Sequence, residues 1–391
     1  MIARAAPIQL SSRPLAFDFQ ATTPCATEVV AAMAPFWSEL WGNPSSRQHR
    51  LGLSASAAVK LARRQMADAL GVAPERLVFT SGATEANNLA LLGHARALAR
   101  QRGRPGHLIS IKTEHHAVLD PLQQLQREGF NVSLLQPDSQ GLITPSQLEA
   151  ALTDTTDLVS VMAANNEIGV LQPLKALAEL CQVHGVTLHS DAAQAFGHIE
   201  LKPDQIGLDL MSISAHKLNG PKGIGALLIR DSIALEPLQW GGGQEQGLRP
   251  GTLPTALIVG MARATTLAMA DLTSRSQRLR QLRNDLWEGL RCRIPGLLLN
   301  GALEPRLPHN LNITVPGVSG SRLHRALRPT VACSSGSACS NGAPSHVLQA
   351  IGRSRRDAEA SLRLSLGRET TEADVLRAID VIPVAVADAR S

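Results

Sequence analysis

Two short apolar runs, residues 186–188 and 208–213, constrain the fold of this chain more than any other feature. Each run has the length of a buried strand, and a turn-rich segment separates them. In open α/β sheets, ligands bind at the carboxyl ends of the strands. We therefore expect one site to collect the polar side chains that follow the two runs, which are Asp191, Gln194, Ser214, His216 and Lys217.

Lys217 is the most informative of these residues, because it lies in the segment SAHK, directly before the glycine-rich segment LNGPKGIG. Burial favours the neutral form of an amine, and a neutral lysine can form a Schiff base with an aldehyde. Asp191 could then pair with a protonated ring nitrogen, and Ser214 and His216 could hold a phosphate. For either residue taken singly, the ordinary interpretation, a solvated loop lysine for Lys217 and a helix N-cap for Asp191, is several times more common. Their combination favours a site.

The alternation of predicted strands and helices up to residue 230 favours an α/β fold with a mainly parallel, doubly wound sheet. A length of 391 residues exceeds that of an ordinary single core, so we expect two domains. Residues 255 to about 292 read as a helical connector with a Thr/Ser break near 272–276. The strands predicted beyond it, followed by a helix at 371–388, indicate a smaller α+β domain.

Composition excludes several classes of function. Aromatic residues make up only 3% of the chain and tyrosine is absent, which leaves little for stacking on nucleic-acid bases. No run approaches the roughly 18 apolar residues of a membrane span. The five cysteines are odd in number and lack a C-x-x-C pair, so we expect neither a disulfide framework nor a zinc-ribbon site. Free cysteines fit a reducing compartment, and we expect a cytoplasmic location. The adjacent histidines His115 and His116 lack a matching ligand set, so no metal site is predicted.

The segments HSDAAQAFGHI and MSISAHKLNGPKGIGALLIR resemble the signature of the class V transaminases that use pyridoxal 5′-phosphate (PLP), and are most similar to the cysteine desulfurases. The resemblance runs from Asp18 to Asp374. It implies the type I PLP-dependent transferase fold, with a large domain at 16–262 and a small domain at 263–391 joined by residues 1–15. It also implies that Lys217 carries PLP, that Asp191 pairs with the pyridine nitrogen and that Gln194 contacts the ring hydroxyl.

Further motifs of this family assign further residues. A glycine turn opens a helix at Gly82, where backbone N–H groups attract a phosphate, although capping by Thr84 explains the pattern equally well. The resemblance implies that the matching G-A-T segment, with Ala83 and Thr84, binds the PLP phosphate. In the same way the T-E-H segment implies that His115 stacks on the PLP ring and takes part in proton transfer.

The resemblance also assigns roles to three further residues, and for one of them, Arg363, there is an independent physical reason. The N-N-E-I-G segment implies that Asn166 helps hold the substrate carboxylate, and a glycine-rich loop implies that Thr252 reaches the PLP phosphate of a second subunit. Arg363, in the segment SLRLSLGR, matches the arginine that binds the substrate carboxylate, and a guanidinium can grip a carboxylate with two hydrogen bonds.

Cys339 lies in the segment VACSSGSACSNGAPSHVL, whose small and polar residues favour exposure, as a reactive thiolate requires. A buried cysteine is the ordinary alternative. The segment resembles the loop that carries the desulfurase nucleophile, whereas Cys333 is expected to end a strand and pack.

These residues together predict a cysteine desulfurase that converts L-cysteine to L-alanine and carries the sulfur as a persulfide on Cys339. The expected partners are a second copy of the chain and a sulfur-acceptor or scaffold protein, in iron–sulfur cluster or thio-cofactor biosynthesis. One alternative is another class V enzyme, such as a cystine or cysteine lyase or an aminotransferase, which would not need Cys339. A non-catalytic scaffold of the same fold is a second alternative.

Overall fold

The computed structural model of this chain describes residues 13–335 and 344–390. Its strands are β1 (Leu15–Ala16), β2 (Leu77–Thr80), β3 (His107–Ile111), β4 (Asn131–Leu135), β5 (Thr156–Ser160), β6 (Thr187–Asp191), β7 (Leu210–Ser214), β8 (Gly225–Ile229), β9 (Leu298–Leu299), β10 (Asn310–Thr314), β11 (Val331–Ala332) and β12 (Ser361–Ser365).

The α-helices are α1 (Thr27–Met33), α2 (Pro35–Ser38), α3 (Arg50–Leu70), α4 (Ala83–Asn88), α5 (His94–Arg102), α6 (His116–Arg127), α7 (Pro145–Ala151), α8 (Leu174–His184), α9 (Pro203–Ile206), α10 (Thr255–Ala270), α11 (Leu272–Arg293), α12 (Gly320–Leu327), α13 (His346–Ala350), α14 (Arg355–Glu359) and α15 (Glu372–Arg390).

A seven-stranded sheet in the order β2-β8-β7-β6-β5-β3-β4 forms the centre of the larger unit. Strand β8 runs antiparallel to both of its neighbours, and the other strands run parallel to one another. Alternate residues of one strand face different cores: Ile109 and Ile111 belong to one cluster and Leu108 to another. The prediction of a mainly parallel, doubly wound sheet with helices on both faces is therefore confirmed.

The apolar spacing of α3 explains how it packs on this sheet. Its buried residues Ala55, Val59, Ala62 and Met66 recur every three or four positions, which places them on one face of the helix. The helix ends where Gly71 takes a left-handed conformation with φ of 72°, which glycine adopts at little steric cost. α3 and α10 pack together over one face of the sheet.

A smaller unit is built on the antiparallel sheet β12-β10-β9 and on α11, α12 and α15. Its core also contains Leu15 and Phe17, which come from the start of the described chain. The α+β character predicted for this part of the chain is confirmed, while the residue ranges proposed for the two domains remain predictions.

The two units are joined by α10 and α11, which meet at Asp271 with a bend of 72°. The helical connector was predicted, but its break lies at Asp271 and not at 272–276, because Ser274 and Arg275 continue α11. Within the described residues no single helix has the length and apolar composition of a membrane span, although this bent pair meets those criteria jointly.

Candidate active site

A cavity of about 510 Å³ opens at the carboxyl ends of the parallel strands. The polar residues that the sequence placed after separate strands meet there, together with an arginine from the smaller unit. The predicted residues that line the cavity are Ala83, Thr84, His115, Asn166, Asp191, Gln194, Ser214, His216, Lys217 and Arg363. Thr252 does not line it, and Cys339 lies outside the described residues.

Lys217 is held at both its backbone and its side chain. It closes a short helical turn, Ala215–Lys217, directly after β7. Its Nζ donates to the carbonyl oxygens of Gln20 at 2.6 Å and Ala21 at 2.9 Å, and its own carbonyl accepts from His198 Nε2 at 2.9 Å. The amine is therefore a fixed feature of the cavity wall and not a solvated loop side chain.

Asp191 is the last residue of β6 and is almost completely buried. Its Oδ2 accepts from Asn87 Nδ2 at 2.7 Å and its Oδ1 from the Ala193 amide at 2.9 Å. The second bond closes a turn, since residues 192–198 form no helix that Asp191 could cap. A buried carboxylate with these donors can also receive a hydrogen bond from a protonated ring nitrogen.

His115 begins α6 as its N-cap, and its Nδ1 accepts from the Ala117 amide at 3.0 Å. In the neutral ring the proton is then on Nε2, because Nδ1 is already an acceptor. Burial lowers the pKa of His115, Lys217 lowers it further, and Asp191 opposes the shift. His115 is therefore an uncharged ring with one N–H to offer at neutral pH.

Glycine is required at the start of α4. Gly82 is the N-cap, with φ of 154° and ψ of −180°, a conformation that is essentially restricted to glycine. A Cβ added there would meet no atom within 4 Å, so the backbone borders open space. No side chain among the described residues caps α4, so the alternative in which Thr84 caps it is wrong.

A second histidine and a second lysine, His216 and Lys222, line the same cavity. His216 Nδ1 lies 3.1 Å from Thr22 Oγ1, and burial together with Lys217 lowers the pKa of His216 to about 4. His216 therefore offers hydrogen bonds without charge at neutral pH. Lys222, which also lowers that pKa and lines the cavity, supplies a positive charge that the sequence analysis did not assign.

Arg363 reaches the cavity from the middle of β12, with only 2% of the residue exposed. Its Nη1 donates to the Asn166 carbonyl at 2.9 Å and its Nη2 to Asp18 Oδ1 at 2.8 Å. Arg363 Nε and Asn166 Oδ1 are buried and have no partner among the described residues. Buried polar atoms of this kind cost free energy unless a ligand completes them.

The loop that carries Thr252 is held against the edge strand β2. Glu245 and Gln246 have left-handed φ values of 47° and 60°, which are uncommon for residues other than glycine. The Glu245 carboxylate accepts from the Phe79 amide at 2.6 Å and from Arg63. Thr252 itself is exposed, at the end of this loop.

Two of the described cysteines, Cys333 and Cys181, are poor candidates for a nucleophile. Burial raises the pKa of Cys333 to about 12, with a smaller contribution from Asp18, and burial raises that of Cys181 to about 12 as well. Cys333 packs at the edge of the smaller core, as its position after a strand predicted. Among the described residues, no group of three or more His, Cys, Asp or Glu side chains could hold a metal ion.

The segment 18–23 contributes more than the sequence analysis assigned to it. Gln20, Ala21 and Thr22 line the cavity, and Thr23 Oγ1 donates to the His216 carbonyl at 2.9 Å. The residues of this segment, DFQATTP at 18–24, are typical of a polar turn and by themselves indicate no ligand. Asn87, the partner of Asp191, had no signal of its own because it lies inside a helix.

The sequence matches the family described as Aminotransferase class-V over residues 15–377. A curated relative from Photorhabdus laumondii subsp. laumondii, named cysteine desulfurase IscS, is 46% identical over 375 residues, which cover 94% of this chain and 92% of that protein. Among solved structures, a NifS-like protein is 34% identical with a TM-score of 0.89, covering 96% of this chain and 100% of its own.

Another solved structure, of SspA in complex with cysteine, is 36% identical with a TM-score of 0.79, and the match covers 91% of this chain and 99% of that chain. The fold, the family match and the identity to these relatives extend over almost the whole chain. The chain therefore belongs to the class V aminotransferase family, among its cysteine desulfurases.

Proposed function

We propose that this chain is a PLP-dependent cysteine desulfurase, which converts L-cysteine to L-alanine and transfers the sulfur as a persulfide on Cys339. The observation that carries the proposal is the meeting of Lys217, Asp191 and Arg363 in one cavity. A lysine for an aldehyde, an acid for a ring nitrogen and a guanidinium for a carboxylate match the three polar ends of PLP and an amino acid. The relatives named cysteine desulfurase support the choice of substrate.

The cavity fits PLP on several independent points. Its volume of about 510 Å³ is in the usual range for a small-molecule site. The start of α4 at Gly82 leaves backbone N–H groups and open space for a phosphate, with Ser214, His216 and Lys222 nearby along the wall. Lys217 would hold the aldehyde carbon and Asp191 the ring nitrogen. When bound, PLP supplies an electron sink for the bonds at the α-carbon of the substrate.

The residues of this chain then perform four tasks. Arg363 and Asn166 fix the substrate carboxylate. Arg363 Nε, which has no partner among the described residues, is a free donor for it, and Asn166 can donate to it only through the N–H groups of its side-chain amide. Lys217 moves the proton of the α-carbon, and Asp191 keeps a proton on the ring nitrogen. His115 provides a neutral ring against the cofactor. These tasks require the buried geometry described above, since a misplaced group loses much of its effect.

In the sulfur-transfer step, the Cys339 thiolate attacks the sulfur of the bound cysteine. A sulfur–sulfur bond forms and the carbon–sulfur bond breaks, and its electron pair stays with the carbon, which takes a proton to give alanine. The persulfide then passes its outer sulfur to an acceptor or scaffold protein in the cytoplasm. Cys333 is unsuited to this step because its pKa is raised to about 12 by burial.

We also propose a homodimer. Large apolar side chains are exposed along the first helices and beside the Thr252 loop: Trp37, Trp41 and Leu53 are more than half exposed and Trp240 is 84% exposed. Exposed apolar surface of this kind is typical of an interface. A second copy would cover it and would bring Thr252, which lies outside the cavity of its own chain, to the phosphate of its partner.

The test of the proposed function combines absorbance and mass spectrometry. The purified protein should be yellow with bound PLP, and Lys217→Ala should lose the colour that belongs to the lysine adduct. After L-cysteine under non-reducing conditions, one added sulfur should map to Cys339, and Cys339→Ser should lose it.

Cys333→Ser is the matched control and should keep both the added sulfur and the release of alanine. Sulfur found only on Cys333 would contradict the proposal. Undiminished sulfide and alanine release by Cys339→Ser would instead assign the chain to the lyases of this family. A colourless wild-type protein that binds no added PLP would support the scaffold alternative.

A further inference from the structure

Four buried polar side chains form a hydrogen-bonded relay from the smaller unit into the cavity wall, in the order Arg306, Asn310, Gln20 and Gln194. Only the last two line the cavity. Gln20 is 1% exposed and Arg306 is 1% exposed, so water does not compete for their hydrogen bonds. Each side-chain amide in this relay has an N–H end that donates and an oxygen that accepts, and its neighbours determine the direction in which each end points.

Arg306 sets the direction at the first step. Burial lowers its pKa to about 9, which is still above neutral pH, so the guanidinium stays charged and can only donate. Its Nη1 donates to Asn310 Oδ1 at 2.9 Å. The Nδ2 of Asn310 must then face the other way, and it donates to the Glu167 carbonyl at 2.9 Å, a group that can only accept. The orientation of Asn310 is thus fixed from both sides.

Gln20 transmits this orientation across the boundary between the two units. Asn310 Nδ2 also donates to Gln20 Oε1 at 2.5 Å. Gln20 Nε2 is therefore turned toward Gln194, and it donates to Gln194 Oε1 at 3.4 Å. The second end of Gln194 agrees, because its Nε2 donates to the Gln20 carbonyl at 3.2 Å. That same carbonyl accepts from Lys217 Nζ.

We propose that Gln20 is a positioning residue that, backed by Asn310 and Arg306, fixes the amide of Gln194 with an N–H group toward the cavity. One hydrogen of Gln194 Nε2 bonds the Gln20 carbonyl, and the other is free for a ligand. The ligand atom it meets is a hydrogen-bond acceptor. On PLP, this matches an ionised ring oxygen and disfavours a protonated ring hydroxyl acting as donor. The inference rests on the proposed function, since it takes PLP as the ligand.

The decisive variant is Gln20→Glu, which keeps the length of the side chain and still accepts from Asn310. Its carboxylate has no N–H for Gln194 Oε1, so two oxygens face each other and the Gln194 amide loses its orientation. An unsatisfied buried polar group of this kind costs enough to raise the PLP dissociation constant about tenfold. Titration of the cofactor-free protein with PLP, followed by absorbance, measures this dissociation constant. The absorbance band of the bound cofactor should also shift, because the ring oxygen loses its hydrogen-bond donor.

Gln172→Glu is the matched control. Gln172 is also buried, with bonds to the Ile143 amide at 3.2 Å and the Gly141 carbonyl at 2.7 Å, but it does not line the cavity. It should cost stability without changing the PLP dissociation constant or the absorbance. Gln20→Met, which fills the same space without polar atoms, provides a second variant if Gln20→Glu folds poorly, and it should also weaken PLP binding.

Two further outcomes separate a positioning role from a merely structural one. When protonated, the introduced carboxyl group offers both an acceptor and a donor, as an amide does, so the PLP affinity of Gln20→Glu should recover relative to wild type as the pH falls. In a Gln194→Ala background, Gln20→Glu should change PLP affinity no further, because the group it orients is gone.

The proposal is overturned if Gln20→Glu binds PLP as tightly as wild type at neutral pH, or if its loss of affinity is undiminished in the Gln194→Ala background. A wild-type protein that binds no PLP would contradict the proposed function instead. The relay is then judged on the cofactor-free protein by urea unfolding. The double variant, Gln20→Glu with Gln194→Ala, should then lose less stability than the sum of the losses of the two single variants. Additive losses would contradict a positioning role of Gln20.

Discussion

The two ends of the parallel strands use buried polar residues in different ways. At the amino ends, His107 bonds Thr156 Oγ1 at 2.8 Å and Ser133 Oγ at 2.9 Å, and Asp157 Oδ1 accepts from Arg102 at 2.6 Å. At the carboxyl ends, buried side-chain atoms have no partner among the described residues in Thr113, Glu114, Asn166 and Glu167.

The difference separates stability from function. The polar groups of His107 and Asp157 at the amino ends are paired with their neighbours, so they hold the strands in place without the cost of an unpaired buried atom. Polar groups at the carboxyl ends are left partly unpaired, and burial raises the pKa of Glu114 well above its usual value, with the charge on Asp191 adding to the effect. A fold tolerates such a cost where a ligand or a reaction uses the groups.

The largest effect is expected from Asp191→Asn, at the carboxyl end of β6. The release of alanine should fall at least about 1000-fold, which corresponds to roughly 4 kcal/mol of lost transition-state stabilisation. The fold should persist, because the new amide oxygen can still accept from Asn87 and only the hydrogen bond from the Ala193 amide is lost. Asp157→Asn at the opposite end is the control and should keep full activity. The comparison would be broken if both variants lost activity equally.

The second prediction concerns acid stability and His189, which lies mid-strand between Ser160 and Ser212. Burial lowers its pKa to about 3, against about 6.5 in an unfolded chain. Between these values the unfolded chain binds a proton that the folded chain does not. The free energy of unfolding therefore falls by about 1.4 kcal/mol per pH unit as the pH drops below 6.5, and this penalty is absent above 6.5.

His189→Gln should remove this contribution, so urea unfolding between pH 6.5 and 4.5 should show a shallower loss of stability by about 2 kcal/mol over the interval. Its rate of alanine release should keep the wild-type pH profile above pH 7. In contrast, His115→Gln should change that profile. An unchanged slope in His189→Gln would show that other groups govern the acid response.

The third prediction tests the satisfied end directly. Asp157→Ala should lower the free energy of unfolding by about 2 kcal/mol, since it removes a buried carboxylate from a pair whose arginine is one-third exposed and can turn to water. Thermal or urea unfolding measures the loss. Asp120→Ala, which removes an exposed partner of His116, is the control and should change stability by less than about 0.5 kcal/mol.

The smallest and sharpest test is a matched pair of Thr→Val substitutions. Thr156 Oγ1 accepts from the Thr153 amide at 2.9 Å, so Thr156→Val should destabilise the protein by about 1 kcal/mol. Thr113 Oγ1 is buried and unpaired among the described residues, so Thr113→Val should stabilise it by up to about 1 kcal/mol. Urea unfolding of the cofactor-free variants measures both, and equal signs would contradict the contrast between the two ends.

Much of the candidate site could be predicted because its residues follow strands. The apolar runs before Asp191 and Lys217 identify β6 and β7, although the structure extends β6 to Asp191 and β7 to Ser214. Parallel strands bring their carboxyl ends to one edge whatever the loops between them do. Local pattern and topology were therefore sufficient to bring these residues together.

The sequence by itself determined the succession of strands along the chain and the polar groups at their ends. It also determined the family to which the chain belongs. Only the tertiary structure decided which groups complete them. Asn87 reaches Asp191 across 104 positions and Asn310 reaches Gln20 across 290, and each contact depends on how helices and the two cores pack. Periodicity reports the burial of a residue within its own element, whereas a hydrogen bond between distant elements depends on ångström-level packing that no local pattern encodes.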